Sequence, residues 1–521
     1  MPHRLLRYSV VRRSIDDITE GLAPDTVDLQ LPDGFFSDSR NVRYRNGAVE
    51  KCKGQATIFG SLSATPMWAA AIGDGTTSYW IYGNESVLYA TDGTTHANVS
   101  SISYQAAPDL GYTGGQFHGY QILNDAVNPP QTWQPSLSNA IQPLVNWPAS
   151  TTCKVIRSFQ DQLIALRLTE NNVYNPRAIR WSDYAGVGAL PGSWDYTDPT
   201  NFAGRTELGE TEDYLIDCLA LRDVNIVYKQ YSTYLMQPIQ TDAAFAFRQI
   251  FSQSGLLSQN CVKAFRGQHF VVAVDDILLH DGANIQSVAD KRVKKYFFNA
   301  LNANRYQRTF VAPDFLNQTM WVCFCEAGND FPNLALCWDW ANDKWFVREL
   351  GANMANGSTG IVIGTELTFD SQVGTFDQQT AVFDEETFTP FSNRLVLFDA
   401  GHAAAYQAES GETFNGTAMT CYATRSNIGL TRDVGSIKRI QRIYPKILGT
   451  AGDTFAVYVG SKATPDGATT FSGPFNFTIG TNYKIDCRVS GRWITLKFQY
   501  GGTNTFRLAG FDIEFIPDGW R

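Results

Sequence analysis

Charge is scarce in this chain. Of its 521 residues only 18% are Asp, Glu, Lys or Arg, and the surplus is acidic, with a formal net charge of −9. Proteins that grip duplex DNA electrostatically carry a basic face, because neutralising phosphates drives the binding. The global balance here points the other way and leaves room for a local basic patch or for a surface that repels DNA. Long apolar runs are missing too: no segment approaches the ~18 residues of a membrane span. The start, "MPHRLLRYSVVRRS", is basic without an apolar stretch, so no signal peptide is expected. The product is expected to be made in a cytoplasm and to stay soluble there.

The motifs of common catalytic sites are also missing. There is no Walker A sequence, no glycine-rich loop between a strand and a helix, no GxSxG elbow and no HExxH. Six histidines (His3, His96, His118, His269, His280, His402) are dispersed, with none at metal-ligand spacing. Each reads as a hydrogen-bonded structural residue. None of the nine cysteines forms a CxxC pair, and no further ligands stand at zinc-site spacing. Cys323 and Cys325, two apart in "MWVCFCEA", fall on one face of a strand, and the nine thiols read as buried groups in a reduced compartment. No metal and no cofactor is expected.

What is abundant is aromatic residues, at 13%, and glycine, at 43 residues. Aromatic and β-branched side chains fill pleated faces, and glycines make turns. Helical periodicity is almost absent, while alternation and short apolar runs are separated by Gly, Asn, Asp and Pro. The expected fold class is all-β. "VRRSIDDITEGL" (11–22) and "KRVKKYFFNALN" (291–302) are the main helix candidates.

A loose internal recurrence runs along the chain: a strand, an Asp-Gly-like turn, a polar stretch and another strand. It appears at "SVLYATDGTTHANV", "YQILNDAVNPPQTW", "DDILLHDGANIQSV" and "LVLFDAGHAAAYQ". Small repeated sheets that cannot stand alone suggest the blades of a β-propeller, six or seven in number, against the alternative of unrelated hairpins. Three regions are expected: an N-terminal arm and entry hairpin (1–60), propeller blades (61–410), and a C-terminal β-rich region (411–521). The last holds longer alternating strands, forming a small sandwich or closing the propeller.

Two kinds of charged cluster bear on function. The acidic ones are "ELGETEDY" (207–214), "FDEETF" (383–388) and Asp275-Asp276. A propeller glycoside hydrolase needs two carboxylates flanking a sugar. Adjacent acids point to opposite faces of a strand, so Asp275 and Asp276 cannot pair there. The other two read as solvated loops, and the Asp-box of sialidase-type propellers does not occur. The basic clusters are the arm (Arg4, Arg7, Arg12, Arg13), the opening hairpin (Arg43, Arg45, Lys51, Lys53), "DKRVKKY" (290–296) and "IKRIQR" (437–442). Arg43 and Arg45 share a strand face, and Asn46-Gly47 supplies the positive-φ positions of a tight hairpin. These clusters are either solvated or paired with acids at a subunit interface. No groove-reading helix or stacking platform for nucleic acid is recognisable.

"GFFSDSRNVRYRNGAVEKCKGQATIFG" (34–60) resembles a pattern near the N-terminus of tailed-phage virion proteins. "ILNDAVNPPQTWQP" (122–135), "FVVAVDDILLHDGANIQSVADKRVKKYF" (270–297) and "SGRWITLKFQYGGTNTFRLAGFDIEF" (490–515) look like later segments of the same family, the tail nozzle of short-tailed phages, also called tail tubular protein B. The packaged-DNA stabilisation protein is its relative. One departure is Asp125-Ala126, where the pattern has a glycine turn. The resemblance implies a non-enzymatic, propeller-based subunit of a homohexameric ring in the virion tail, assembled in the host cytoplasm. Its partners would be the head-to-tail adaptor, tail fibres or spikes, and genomic double-stranded DNA passing through the lumen without sequence-specific binding. It would retain packaged DNA and guide its ejection. Arg4, Arg7, Arg12, Arg13, Arg43, Arg45, Lys51 and Lys53 are the candidate interface residues. The alternatives are a propeller glycoside hydrolase acting on host polysaccharide, and an adaptor or fibre-attachment protein.

Overall fold

The computed structural model describes residues 9–73, 78–239, 244–362, 393–431 and 435–517. Seven four-stranded antiparallel sheets follow one another along the chain. They are blade 1 (68–98), blade 2 (113–143), blade 3 (151–207), blade 4 (215–252), blade 5 (262–287), blade 6 (310–349) and blade 7 (354–408). The first strands of neighbouring blades pack on one another, so each blade's first strand lies innermost and the ring is a β-propeller. Apolar side chains fill the spaces between blades. Trp345 of blade 6, for example, is buried and donates its indole N–H to the Val288 carbonyl at the end of blade 5, 3.0 Å away.

Blade 7 is completed from the far end of the chain. Its fourth, outermost strand is Gln55–Ile58, which pairs antiparallel with Ala405–Ala408, Ile58 opposite Ala405 and Gln55 opposite Ala408. Gly54 leads into this latch where backbones touch: a Cβ there would lie 1.9 Å from the Thr413 carbonyl oxygen. Only glycine fits so close an approach.

The remaining strands form a two-sheet sandwich. One sheet orders Thr470–Thr478, Thr454–Lys462, Trp493–Tyr500, Cys421–Ile428 and Asp38–Arg40. The other is built round the long strands Lys438–Gly449 and Phe506–Pro517, joined by Val11–Ile15, Val42–Arg45, Ala48–Lys51 and Ile485–Gly491. Phe455 meets Phe506 edge-on at 4.9 Å, and Phe498 meets Phe511 at 5.2 Å, closing the interior between the sheets. One core of buried side chains runs from blades 4–7 into the sandwich without a break.

From Val11 on, the N-terminal residues thus supply strands to the sandwich and to blade 7. The spacing of 11–22 predicts a helix, but its first residues, Val11–Ile15, form a strand that pairs with Phe511–Phe515. Ladder pairing and burial of Ile15 outweigh the weak helical spacing. The second helix candidate is right in kind: Lys294–Ala300 is the α-helix found among the described residues.

The recurrent Asp turns are real, but they do not mark one blade position. Asp92 and Asp281 sit between third and fourth strands, whereas Asp125 and Asp399 sit between second and third. In each, one carboxylate oxygen accepts two backbone N–H groups just ahead, as Asp281 does from Ala283 and Asn284. Such an Asx turn suits any tight antiparallel connection, so its recurrence counts turns rather than blades. At the departure from the phage pattern, Ala126 adopts φ 66, the left-handed conformation that usually calls for glycine, beside the capping Asp125.

Candidate functional site

The opening hairpin lies at the junction of propeller and sandwich. Its turn is as expected, with Asn46 at φ 52 and Gly47 at φ 72. Val42 and Tyr44 point into the core, and Arg43 and Arg45 lie together on the other face. That face meets blade ends of the same chain. Arg43 bonds Glu409 at 3.1 Å, and its side chain is only 14% exposed. Arg45 bonds Asp339 at 2.7 Å and also donates to the Asn317 carbonyl. Glu409 is shared with Arg348, a buried guanidinium over the Trp321 ring at 4.4 Å. Lys51 donates to the carbonyls of Gly502 and Asn504, and burial lowers its pKa.

Arg43, Arg45 and Lys51, expected as interface cations, are thus engaged within the chain. In the arm, Arg12 bonds Asp512 and stacks 4.3 Å over Tyr444, while Arg13 pairs with Asp33. Lys53 is exposed, and its main-chain carbonyl accepts from Arg348 at 3.0 Å. Arg4 and Arg7 lie outside the described residues.

In the described acidic clusters, Asp213 and Asp276 are already paired with lysines. Asp213 pairs with the buried Lys229 at 3.0 Å and accepts from Ser232 and from the Tyr231 N–H. These hydrogen bonds outweigh the opposing effect of burial and hold its pKa down at about 2. Asp276 pairs with Lys294 at 2.9 Å. The cluster at 383–388 lies outside the described residues.

The propeller axis holds a cavity of about 160 Å³. Ala70, Ala71 and Gly115 keep its wall close to the backbone, and its charged lining side chains among the described residues are Arg157 and Lys263. Burial lowers the pKa of Lys263, with the Arg157 charge acting in the same direction. At one end the axis is bridged between nearly opposite blades. Arg308, before blade 6, bonds Asp109, before blade 2, at 2.6 Å, and Gln259 donates to the Leu110 carbonyl. At the other end Gln116 and Ala264 are exposed.

Two of the dispersed histidines come together. His269 and His280 are direct partners across blade 5, and both face Tyr228 of blade 4. The Gly282 N–H points to His280 Nδ1, so His280 donates through Nε2 to the Tyr228 hydroxyl oxygen at 2.6 Å. Tyr228 donates to His269 Nδ1 at 2.7 Å, and His269 Nε2 donates to the Ala220 carbonyl at 2.9 Å. Each donor has one acceptor as long as both rings are neutral. Burial holds both histidines down at about 4. The hairpin register of blade 5 was the only sequence signal that could have paired them.

All nine cysteines are buried and free, as expected, and burial pushes the Cys52 and Cys421 thiols up to about 12. Among the described residues, no cluster of His, Cys, Asp and Glu could hold a metal ion, and no helix is long and apolar enough to cross a membrane.

The chain is thus a seven-bladed β-propeller fused to a sandwich. No protein-family model matches it, and no curated protein sequence matches it. Solved structures are similar in part. The WD40 β-propeller domain of Doa1 is 9% identical with a TM-score of 0.39, over 69% of this chain and 98% of that one. YCF48 from Cyanidioschyzon merolae is 12% identical with a TM-score of 0.30, over 51% and 97%. The extracellular domain of a hybrid two-component system from B. thetaiotaomicron is 11% identical with a TM-score of 0.32, over 50% and 31%.

Proposed function

We propose that the chain is a non-enzymatic structural subunit of a phage tail, a nozzle or tail-tube protein that forms a six-membered ring round the DNA exit path. The observation that carries this reading is the way the two parts are locked together. The same N-terminal stretch supplies sandwich strands at 38–51 and the propeller latch at 55–58. One continuous core then ties both into a single packed body. A ring subunit needs such a body, because heterologous contacts close into a ring only if every copy holds the same angle. The resemblance of 34–60 and of the later segments to tail nozzle proteins supports the class. The −9 net charge, repeated round a ring, supports a conduit that passes DNA without holding it.

The hydrolase alternative gains less support. A glycosidase needs two carboxylates about 5–9.5 Å apart, and the charged groups lining the axial cavity are a lysine and an arginine. Native mass measurement and imaging of the full chain, alone and with a portal–adaptor assembly, test the proposal. A closed six-fold ring in either condition is expected. A monomer in both, together with release of reducing sugars from host glycan, would replace this reading with the hydrolase.

A further inference from the structure

The axial cavity contains a cation that the chain does not neutralise. Arg157 reaches it from blade 3 but is fully engaged: Nε and Nη2 lie 2.8 and 2.7 Å from the two carboxylate oxygens of Asp217, and Nη1 donates to the Gly114 carbonyl. Asp217 also accepts from the Cys218 N–H. The Arg157–Asp217 pair is therefore closed and neutral. Lys263, on the first strand of blade 5, lines the same cavity and makes neither an ion pair nor a hydrogen bond. The polar residues that line the cavity with it, Gln116, Gln121, Asn260, Asn356 and Ser358, carry no charge.

Lys263 is half-buried, its ammonium still reaches the cavity's solvent, and all three of its donors are open to a guest. The surroundings favour an anion as the missing partner. The cavity carries one net positive charge. The innermost strand of each blade turns its unpaired backbone edge, including N–H groups, toward the axis. The small residues at 70, 71 and 115 let a guest reach that edge. The volume of about 160 Å³ holds several waters or one small oxyanion with its waters. Entry is from the end where Gln116 and Ala264 are exposed, since Arg308 and Asp109 bridge the other.

We propose that the propeller axis is a binding site for a small tetrahedral oxyanion, phosphate or sulfate, held by Lys263 in the cavity that Arg157 also lines. The ligand has no part in the ring reading above, and either idea can fail without the other.

The test uses the full chain and inorganic sulfate at constant ionic strength, with chloride as the balancing salt. Calorimetric titration should show saturable binding to the wild type, weakened about 10-fold or more in Lys263→Met and retained in Lys263→Arg. Sulfate also stabilises proteins by exclusion from their surface, so thermal shift alone does not decide. Selenate soaked into wild-type crystals should give its anomalous signal in the axial cavity, a readout that needs no variant to fold. Equal sulfate binding by wild type and Lys263→Met, or a selenate signal elsewhere with the cavity empty, overturns the proposal.

Discussion

The His269–Tyr228–His280 chain makes stability depend on pH in a direction that can be worked out. His269 and His280 are 0% and 2% exposed, and both are held down at about 4, against an ordinary value near 6.5. The unfolded chain therefore takes up protons first as pH falls. Each histidine's contribution is complete above pH 6.5 and is lost between there and about pH 4, amounting to about 3 kcal/mol per residue. Asp314 works against this loss. It is buried, and burial together with nearby Glu409 raises it to about 6. The folded chain takes up that proton first, so stability of about 3 kcal/mol is gained as pH falls from 6 towards 3.8. In the wild type one of the two histidine losses is masked. Urea unfolding followed by tryptophan fluorescence from pH 7 to pH 4 separates the effects. His280→Gln, whose amide can still reach Tyr228, should flatten the profile by about 3 kcal/mol relative to wild type. Asp314→Asn should steepen it by a similar amount. Parallel profiles for all three proteins would refute the assignment of these groups.

Four further outcomes follow from the contacts described. Arg348→Ala leaves Glu409 buried with Arg43 alone and should cost about 3–5 kcal/mol by urea titration, with Arg348→Lys recovering only part. Gly54→Ala drives a methyl group into the Thr413 carbonyl, so hydrogen exchange at Gln55–Ile58 should accelerate well before the other blades open. Deleting residues 1–13 removes most of the Val11–Ile15 strand and the Arg12–Asp512 bond, and should lower the melting temperature by several degrees. Native protein should take up almost no iodoacetamide, and nine equivalents in denaturant, because all nine thiols are buried.

The sequence showed the class of fold because alternation and turn chemistry are local. "SVLYATDGTTHANV" forms the strands Leu88–Thr91 and His96–Asn98 on either side of the expected Asp-Gly turn. What it could not show depends on distant partners. Gln55–Ile58 looks like any short strand, and its role as a latch exists only because Ala405–Ala408, near the other end of the propeller sequence, offers a free edge. Arg43 and Arg45 looked like surface cations because Glu409 and Asp339 are 366 and 294 residues away. The Lys263 cavity was invisible for the same reason: it is made by blades spread along most of the chain, each adding a few residues.

The latch at Gln55–Ile58 also sets an order of events during synthesis. Blades 1–6 can each form from neighbouring sequence as it leaves the ribosome. The strand at 55–58 is made before any of them, yet it must wait unpaired until Ala405–Ala408 appears, and Val11–Ile15 waits longer still, for Phe511–Phe515. Contacts so far apart in sequence form late and slowly, and unpaired strands that wait are open to the wrong neighbour. The strands at 11–15 and 55–58 are thus made before the blades and secured after them, so aggregation during expression should begin at these two strands rather than in the blades.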